Sequence, residues 1–247
     1  MSLPLFTFDN LSRIPGVVHG ITTRAGGVSE GRCASLNVSY SVGDATDNVD
    51  ENLRRVAMAF DTRREGLFAA YQVHGREVTV VNPDTPVRPP SDVLVTKSPE
   101  KTLMLRFADC TPVLLADPQR HTVAAVHAGW RGSAVRAAGA AVEALRDVFG
   151  SVASDIVAGI GPAIGPCCYT VGEDVRQAFS DRPHLFSDGK LDLWEANRQA
   201  LVEAGVPANQ IEVAGICTQC ESARFFSHRA NSGQPAGRFA ALIRIAA

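Results

Sequence analysis

Residues 102–149 read TLMLRFADCTPVLLADPQRHTVAAVHAGWRGSAVRAAGAAVEALRDVF, and two periodicities meet in that one run. Its first part carries short apolar blocks at 102–107, 113–116 and 122–127, interrupted by charged and turn-forming residues. Blocks of strand length bounded in this way read as buried strands. The second part changes period. Val135, Ala138, Val142, Leu145 and Phe149 recur every three or four residues, so the spacing predicts one helix over 132–149.

The same reading extends to both sides. Upstream, 92–96 is a further β-like block, and 81–90 holds four prolines and reads as a loop. The blocks 67–72 and 77–81 look like a strand pair interrupted near His74-Gly75. Val49, Leu53, Val56 and Phe60 share one helical face, with Thr46 and Asp47 as plausible caps before it. Residues 17–23 read as a strand that breaks at Gly26-Gly27. Downstream, 155–160, 210–216 and 238–245 read as strands, 161–168 as a turn-rich loop, and 174–179 and 191–204 as helices. Strands that come both in hairpin-like clusters and with helices between them imply an α+β fold with mixed sheets. A layered α/β sandwich in a single domain over 1–247 fits better than a regular βαβ barrel.

Composition narrows the class. The chain has 247 residues, 45% of them hydrophobic, and a net charge of −2 from 24 basic and 26 acidic side chains. Disorder and collagen-like fibres are excluded, and the near-neutral balance argues against a nucleic-acid or anionic-membrane partner. No apolar run approaches the roughly 18 residues of a membrane span. Residues 1–10 do not read as a signal peptide, so the expected compartment is the cytoplasm. There, six cysteines are expected as reduced thiols, buried, metal-bound or catalytic.

Three segments place a metal ligand or nucleophile at a strand end beside glycine or proline: Gln72-Val73-His74-Gly75, Ala108-Asp109-Cys110-Thr111-Pro112, and His127-Ala128-Gly129-Trp130-Arg131-Gly132. His74, Cys110 and His127 make a His₂Cys set suited to zinc, with a fourth position open for water or substrate. Equally, Cys110 and His127 could be a nucleophile and its base, and buried structural roles would also explain all three residues. The glycine-rich start of the predicted helix offers backbone N–H groups to an anion, and Arg131 adds a guanidinium fork. Arg24, ahead of Gly26-Gly27, is a second anion contact or a solvated turn residue, and Asn37 is a polar-substrate contact or a turn residue. Cys217-Thr218-Gln219-Cys220 has the C-x-x-C spacing of half a zinc ribbon. Cys167-Cys168 is a poor second half, because vicinal cysteines rarely both face one metal. His19, His121, His184 and His228 show no pairing pattern.

Taken together these pieces resemble the YfiH-like family, also called laccase-domain or multicopper polyphenol oxidase proteins, or peptidoglycan editing factor. The resemblance runs from residue 22 to 239. It rests on Thr23-Arg24-x-Gly26-Gly27-Val28-Ser29, Ala34-Ser35-Leu36-Asn37, Glu51-Asn52, Gln72-Val73-His74-Gly75 and Ala108-Asp109-Cys110-x-Pro112. His127-Ala128-Gly129-Trp130-Arg131-Gly132, Gly161-Pro162-x-Ile164-Gly165, Cys168-Tyr169-x-Val171-Gly172, Phe225-Phe226-Ser227-His228-Arg229 and Gly237-Arg238 continue it. It implies an α/β sandwich related to cytotoxic necrotising factor hydrolases, and a catalytic zinc on His74, Cys110 and His127, with copper as the alternative ion. It also implies purine nucleoside phosphorolysis (adenosine, inosine, methylthioadenosine) with adenosine deaminase activity. Thr170 stands where many relatives carry glutamate.

The oxidase name does not survive a count of ligands. A multicopper oxidase needs a blue-copper site and a separate histidine-rich cluster, and this chain has six histidines in scattered places. Deamination by the known zinc deaminase fold needs a Glu two residues after the His ligand. Arg76 and Gly129 hold those positions, which leaves Asp109 as the nearest acid/base candidate. For phosphorolysis, Arg24, Arg131 and the helix start are the expected phosphate contacts, with Asn37 toward substrate. The competing readings are a peptidoglycan-precursor editing hydrolase, a metal-free Cys110–His127 hydrolase, and a non-enzymatic zinc-binding protein.

Overall fold

The apolar block 113–116 lies inside β7 (Thr111–Asp117), and 122–127 lies inside β8 (Thr122–Ala128); every residue of both strands is buried. A strand covered on both faces needs apolar side chains in both alternating sets, which is why these blocks are continuous rather than alternating. Val113 and Leu115 point to one core, and Leu114 and Ala116 point to another. The fold follows from those two cores. The computed structural model describes residues 3–86 and 88–246.

β7 and β8 form the centre of a six-stranded mixed sheet. β5 (Val93–Thr96) pairs with β8, and β4 (Val78–Val80) pairs parallel to β5. On the other side β9 (Val157–Ile160) pairs with β7, and β12 (Ile211–Val213) pairs parallel to β9. A second sheet has five strands. β13 (Phe239–Ile245) is its middle strand, between β2 (Val17–Thr22) and β6 (Thr102–Phe107). β1 (Leu5–Phe6) and β3 (Leu67–Ala69) form its edges.

Phe107, Leu103, Phe239 and Ile243 of the five-stranded sheet meet Leu114, Ala116, Val123 and Ala125 of the six-stranded one, and this is the inter-sheet core. Outside the six-stranded sheet, α4 (Ala137–Phe149) and α6 (Leu193–Glu203) cover Val113, Leu115, Ala124 and Val126. Outside the five-stranded sheet, α2 (Thr46–Ala59) lays Val49, Leu53 and Val56 on Met104, Ala240 and Leu242. The result is a layered α+β sandwich with mixed sheets and no barrel. The small helices α1 (Asp9–Ser12), α3 (Trp130–Ala134) and α5 (Glu173–Ala178) and the hairpin β10–β11 (Phe186–Ser187, Lys190–Leu191) fill the ends. No helix among the described residues is long and apolar enough to cross a membrane.

Three expectations need correction. Blocks 67–72 and 77–81 are both strand-forming, but they do not pair with each other: β3 joins β6 in one sheet and β4 joins β5 in the other. Periodicity identifies a strand and says nothing of its partner. The helix over 132–149 is two helices, because Arg136 takes a left-handed conformation (φ 58°, ψ 48°) between α3 and α4. Val135, counted on the buried face, is 45% exposed as a result. Finally, α2 is preceded by Ala45 with no side-chain cap, and Thr46 and Asp47 lie in its first turn. The adjacent Asp44 carboxylate is engaged by the Ala45 N–H and by Asn37 Nδ2.

One buried group makes stability depend on pH. His19 on β2 accepts the Phe8 N–H at Nε2 (2.9 Å), which requires a neutral ring. Burial outweighs the opposing pull of Glu212 and takes its pKa down to about 4. Between pH 4 and 6.5 the unfolded chain binds this proton more readily than the folded one, so stability falls as the pH drops through that window. The window should be worth up to about 3 kcal/mol. Urea unfolding at pH 5 and pH 7 should show it, and His19→Gln should flatten that part of the pH dependence.

Candidate metal centre and anion-binding cleft

The site begins with the register of β7 and β8. Thr111 lies opposite Ala128 and Pro112 opposite His127, so Cys110 and Gly129 are the next facing pair, just past the strand ends. A Cβ on Gly129 would stand 2.9 Å from Cys110 Sγ and 3.5 Å from His74 Cδ2. Glycine there leaves the space that the sulfur occupies. His74 arrives from the loop between β3 and β4 in a left-handed conformation (φ 63°), and Asp109, before Cys110, does the same (φ 85°). Non-glycine residues held in this region cost about 1–3 kcal/mol each and gather at functional sites.

Asp92, fully buried at the start of β5, organises the group. Its Oδ1 lies 2.7 Å from His127 Nδ1, and its Oδ2 accepts the N–H groups of Val73 (3.1 Å) and Gly75 (2.8 Å) on either side of His74. Burial opposes charge on this carboxyl, but the hydrogen bonds from His127 and the loop N–H groups overcome it and lower its pKa. With Nδ1 tied to Asp92, His127 turns Nε2 toward Cys110. The ligand atoms of His74, Cys110 and His127 lie within 4.8 Å of one another. Burial would raise the Cys110 thiol, yet the charge of His127 and hydrogen bonds from both imidazoles bring it down to about 6. His127 is pushed up to about 9 against its own burial, by Cys110 and Asp92. A thiolate and two imidazoles converging on one point, with one ring oriented by a carboxylate, match the donor set and outer support of a zinc site.

His74 and Cys110 sit where two lobes of a cleft meet, and His127 lines the larger of them. The larger lobe, of about 700 Å³, is lined by Tyr71, Arg106, Tyr169, His228, Arg229 and Arg238 among others. The smaller, of about 350 Å³, adds Trp130, Arg131 and Leu193. Arg106 and Arg238 are desolvated enough to lower their pKa values, to about 10 for Arg106, and Arg88 and Arg64 add repulsion at Arg106. Neither has a carboxylate within ion-pair distance among the described residues. Each gives part of its fork to the chain, Arg106 to the Val38 carbonyl (3.0 Å) and Arg238 to those of Ala236 (2.6 Å) and Gly237 (3.2 Å), and Asp109 and Cys110 exert a longer-range pull on Arg238. With no direct ion-pair partner, two half-buried guanidiniums opening into one cleft still attract an anion.

The sequence-derived contacts distribute differently from expectation. His74, Cys110, His127 and Arg131 line the cleft, with Arg131 stacked on Trp130 at 4.2 Å. Arg24 and Asn37 do not line it. The Arg24 guanidinium donates to the carbonyls of Ala34 (2.9 Å) and Ser222 (2.7 Å) and lies over Phe226, so its donors serve the chain. Asn37 is buried, and its Oδ1 accepts the Arg238 N–H at 2.9 Å. It therefore acts on the cleft by fixing Arg238. Asp109 accepts Thr218 Oγ1–H and the Arg229 N–H, both at 2.7 Å. Of the four histidines without pairing pattern, His228 does line the cleft. Sequence reasoning missed Asp92, Arg106, Arg229 and Arg238 as site residues. Asp92 left a trace as a charged residue entering an otherwise apolar block, and Arg229 and Arg238 left one in the motif pieces His228-Arg229 and Gly237-Arg238; Arg106 left none.

Comparison with known proteins follows the same lines. The profile of a family described as multi-copper polyphenol oxidoreductase laccase matches residues 18–246. A Geobacillus stearothermophilus protein named purine nucleoside phosphorylase YlmD is 41% identical, over 92% of this chain and 90% of its own. The crystal structure of YlmD from Geobacillus stearothermophilus superposes with a TM-score of 0.87 at 40% identity, covering 95% of this chain and 93% of that one. The structure of a Bacillus licheniformis hypothetical protein YfiH gives 0.88 at 38% identity, covering 93% and 92%.

Loss of the Asp92 carboxylate frees the His127 ring and the His74 loop together. Asp92→Asn should weaken zinc retention about 10–100-fold. Competition against a fluorescent zinc chelator measures this, with circular dichroism to confirm the fold.

Proposed function

The chain belongs to the multi-copper polyphenol oxidoreductase laccase family, whose similar members are named purine nucleoside phosphorylases, and from that premise we propose that it is a zinc-dependent purine nucleoside phosphorylase. The observation that carries this reading is the pair of guanidiniums without a direct ion-pair partner, Arg106 and Arg238, opening into the same cleft as His74, Cys110 and His127. Hydrolysis or deamination needs only water beside the metal ligands. An anionic co-substrate such as phosphate explains why two desolvated cations are kept there.

The residues divide the work. Arg106 and Arg238 hold phosphate and offset its charge as the glycosidic bond breaks. Tyr169 and Tyr71 offer aromatic faces to a purine. His74, Cys110 and His127 hold zinc, which when bound supplies a Lewis acid and an acidified water ligand. Copper is the alternative ion for the same donors, since two imidazoles and a thiolate bind it at least as tightly as zinc where it is available. Asp92 keeps His127 in one tautomer, with Nε2 toward the ligand position. Asp109 keeps the Arg229 backbone at the rim. The proposal takes residues 1–247 as one catalytic domain and the cytoplasm as its compartment, a setting in which six unpaired thiols stay reduced.

A second reading has one observation in its favour. Asp92, His127 and Cys110 are aligned as a carboxylate, an imidazole and a low-pKa thiol, the arrangement of a cysteine hydrolase. His74, converging on the same sulfur, favours the metal site, since a nucleophile needs only one base. Iodoacetamide separates the two. Cys110 should resist alkylation at pH 7 in the zinc-loaded protein and react after chelation; reaction at full zinc occupancy would favour the hydrolase.

The central test is product analysis of adenosine turnover by zinc-quantified protein, with and without phosphate. Adenine and ribose 1-phosphate should appear only with phosphate. Inosine formed without phosphate would make deamination the main activity, and no turnover at full occupancy would turn attention to muramyl peptides. Arg238→Met and Arg106→Met should each raise the KM for phosphate roughly 10–100-fold, as expected for a charge-assisted contact of about 1.5–3 kcal/mol. Zinc content should be unchanged in both.

A further inference from the structure

A second group of metal-ligating side chains lies outside this cleft. Cys167 and Cys168 end the loop after β9, and Cys217 and Cys220 follow β12. The two segments are laced together: Ala163 N–H donates to the Ile216 carbonyl (3.2 Å), and Thr218 N–H donates to the Ala163 carbonyl (3.0 Å). All four Sγ atoms lie within 4.8 Å of one another, with Cys167–Cys220 at 3.7 Å and Cys168–Cys220 at 3.5 Å. All four are free thiols, and these separations are far beyond an S–S bond of about 2.05 Å. Four thiolates about 2.3 Å from one zinc ion, at the corners of a tetrahedron, would lie roughly 3.8 Å apart. The sulfurs therefore already stand near the spacing that a single ion needs.

The turn that ends the loop explains how vicinal cysteines reach one point. Cys168 N–H and Tyr169 N–H both donate to the Gly165 carbonyl at 2.9 Å, so the chain coils tightly there, and both sulfurs contact Cys220. Vicinal cysteines, a poor second half in an extended chain, are brought toward one point by that turn. Cys217 also accepts the N–H of Gly165 (3.3 Å). Amide donors to sulfur favour the charged thiolate that a metal requires.

We propose that Cys167, Cys168, Cys217 and Cys220 bind one zinc ion in a tetrahedral tetrathiolate site, independent of His74, Cys110 and His127. Binding replaces four S–H bonds with four Zn–S bonds and releases the protons to solvent. Soft thiolates at this spacing suit one tetrahedral ion, and zinc meets that demand without a redox partner. The site is structural, because four protein ligands leave no open position. Its neighbours show what it braces. Tyr169, next to Cys168, lines the cleft, and Thr218, next to Cys217, donates to Asp109.

The test measures zinc per chain by plasma mass spectrometry on the full-length protein purified under reducing conditions. Two zinc ions are expected in the unmodified protein, one in His74→Ala/His127→Ala, and one in Cys217→Ser/Cys220→Ser. If the nucleoside-site reading failed and this one held, the unmodified protein would carry one zinc, kept in the histidine variant and lost in the cysteine variant. A folded histidine variant with no zinc would overturn the proposal. Should the cysteine variant not fold, the histidine variant itself decides. Titrating it with a mercurial thiol reagent should release its remaining zinc in step with the cysteines consumed. Release of none, or a disulfide among the four in freshly reduced protein, would also overturn it.

Discussion

The buried carboxylate of Asp92 is the constraint on which the site depends. A charge with no solvent exposure survives only if each oxygen is satisfied, and here one oxygen takes His127 Nδ1 while the other takes the N–H groups of Val73 and Gly75. Both imidazole arms are thereby fixed by a single group. The sheet supplies the rest: Asp92 enters β5, β5 pairs with β8, and β8 carries His127 and faces Cys110 across the β7 register. The rigid element is the centre of the six-stranded sheet, buried on both faces. The mobile-looking parts of the site, a loop histidine and a strand-end cysteine, are tied back to it.

Electrostatics give the cleft its direction. The thiol of Cys110 is drawn down and the imidazole of His127 is drawn up because each favours the other's charge, between a half-buried sulfur and a buried ring at the foot of the cleft. A cation placed among them would take over the role of His127's proton. Around that centre the charge is positive, from Arg106, Arg229 and Arg238, and the neighbouring walls are aromatic. Much of the remaining sequence resemblance serves to hold this rim. Asn52 accepts Val28 N–H and donates to Ser29 Oγ and the Asn37 carbonyl, and Asn37 in turn fixes the backbone of Arg238. Residues that resemble a polar substrate-binding motif in the sequence are thus a buried hydrogen-bond network one step away from the substrate.

The sequence made the elements legible wherever one physical signal dominated. Continuous apolar blocks marked β7 and β8, and the helical period marked α2 and most of α4. It was silent on partners: β3 and β4 are neighbours in the chain and belong to different sheets. The break at Arg136 was hidden because the apolar spacing continues across it, while the backbone turns left-handed. The three metal-ligand types were legible from chemistry at strand ends and from the family resemblance. Asp92 was not, since one carboxylate has no spacing to declare it. The roles of Arg106 and Arg238 were not, since the absence of an ion-pair partner among the described residues is a fact of three dimensions. The cysteine quartet was discounted because vicinal cysteines diverge in an extended chain, and the tight turn at Gly165 removes that objection.

The place of β13 at the centre of the five-stranded sheet sets the order in which the molecule can be completed. Its residues come late in the chain, yet β2 from the first 22 residues and β6 from the middle both need it as their shared neighbour. At a ribosomal speed of about 5–20 residues per second, the earlier strands spend seconds with unpaired edges and one uncovered apolar face. That interval exposes the nascent chain to association with others and gives holding chaperones their window. His74, Cys110 and His127 emerge well before it closes. Arg238 emerges immediately before β13, so the cationic rim is assembled with the closing strand, and a chain released early has His74, Cys110 and His127 without the rim that faces them.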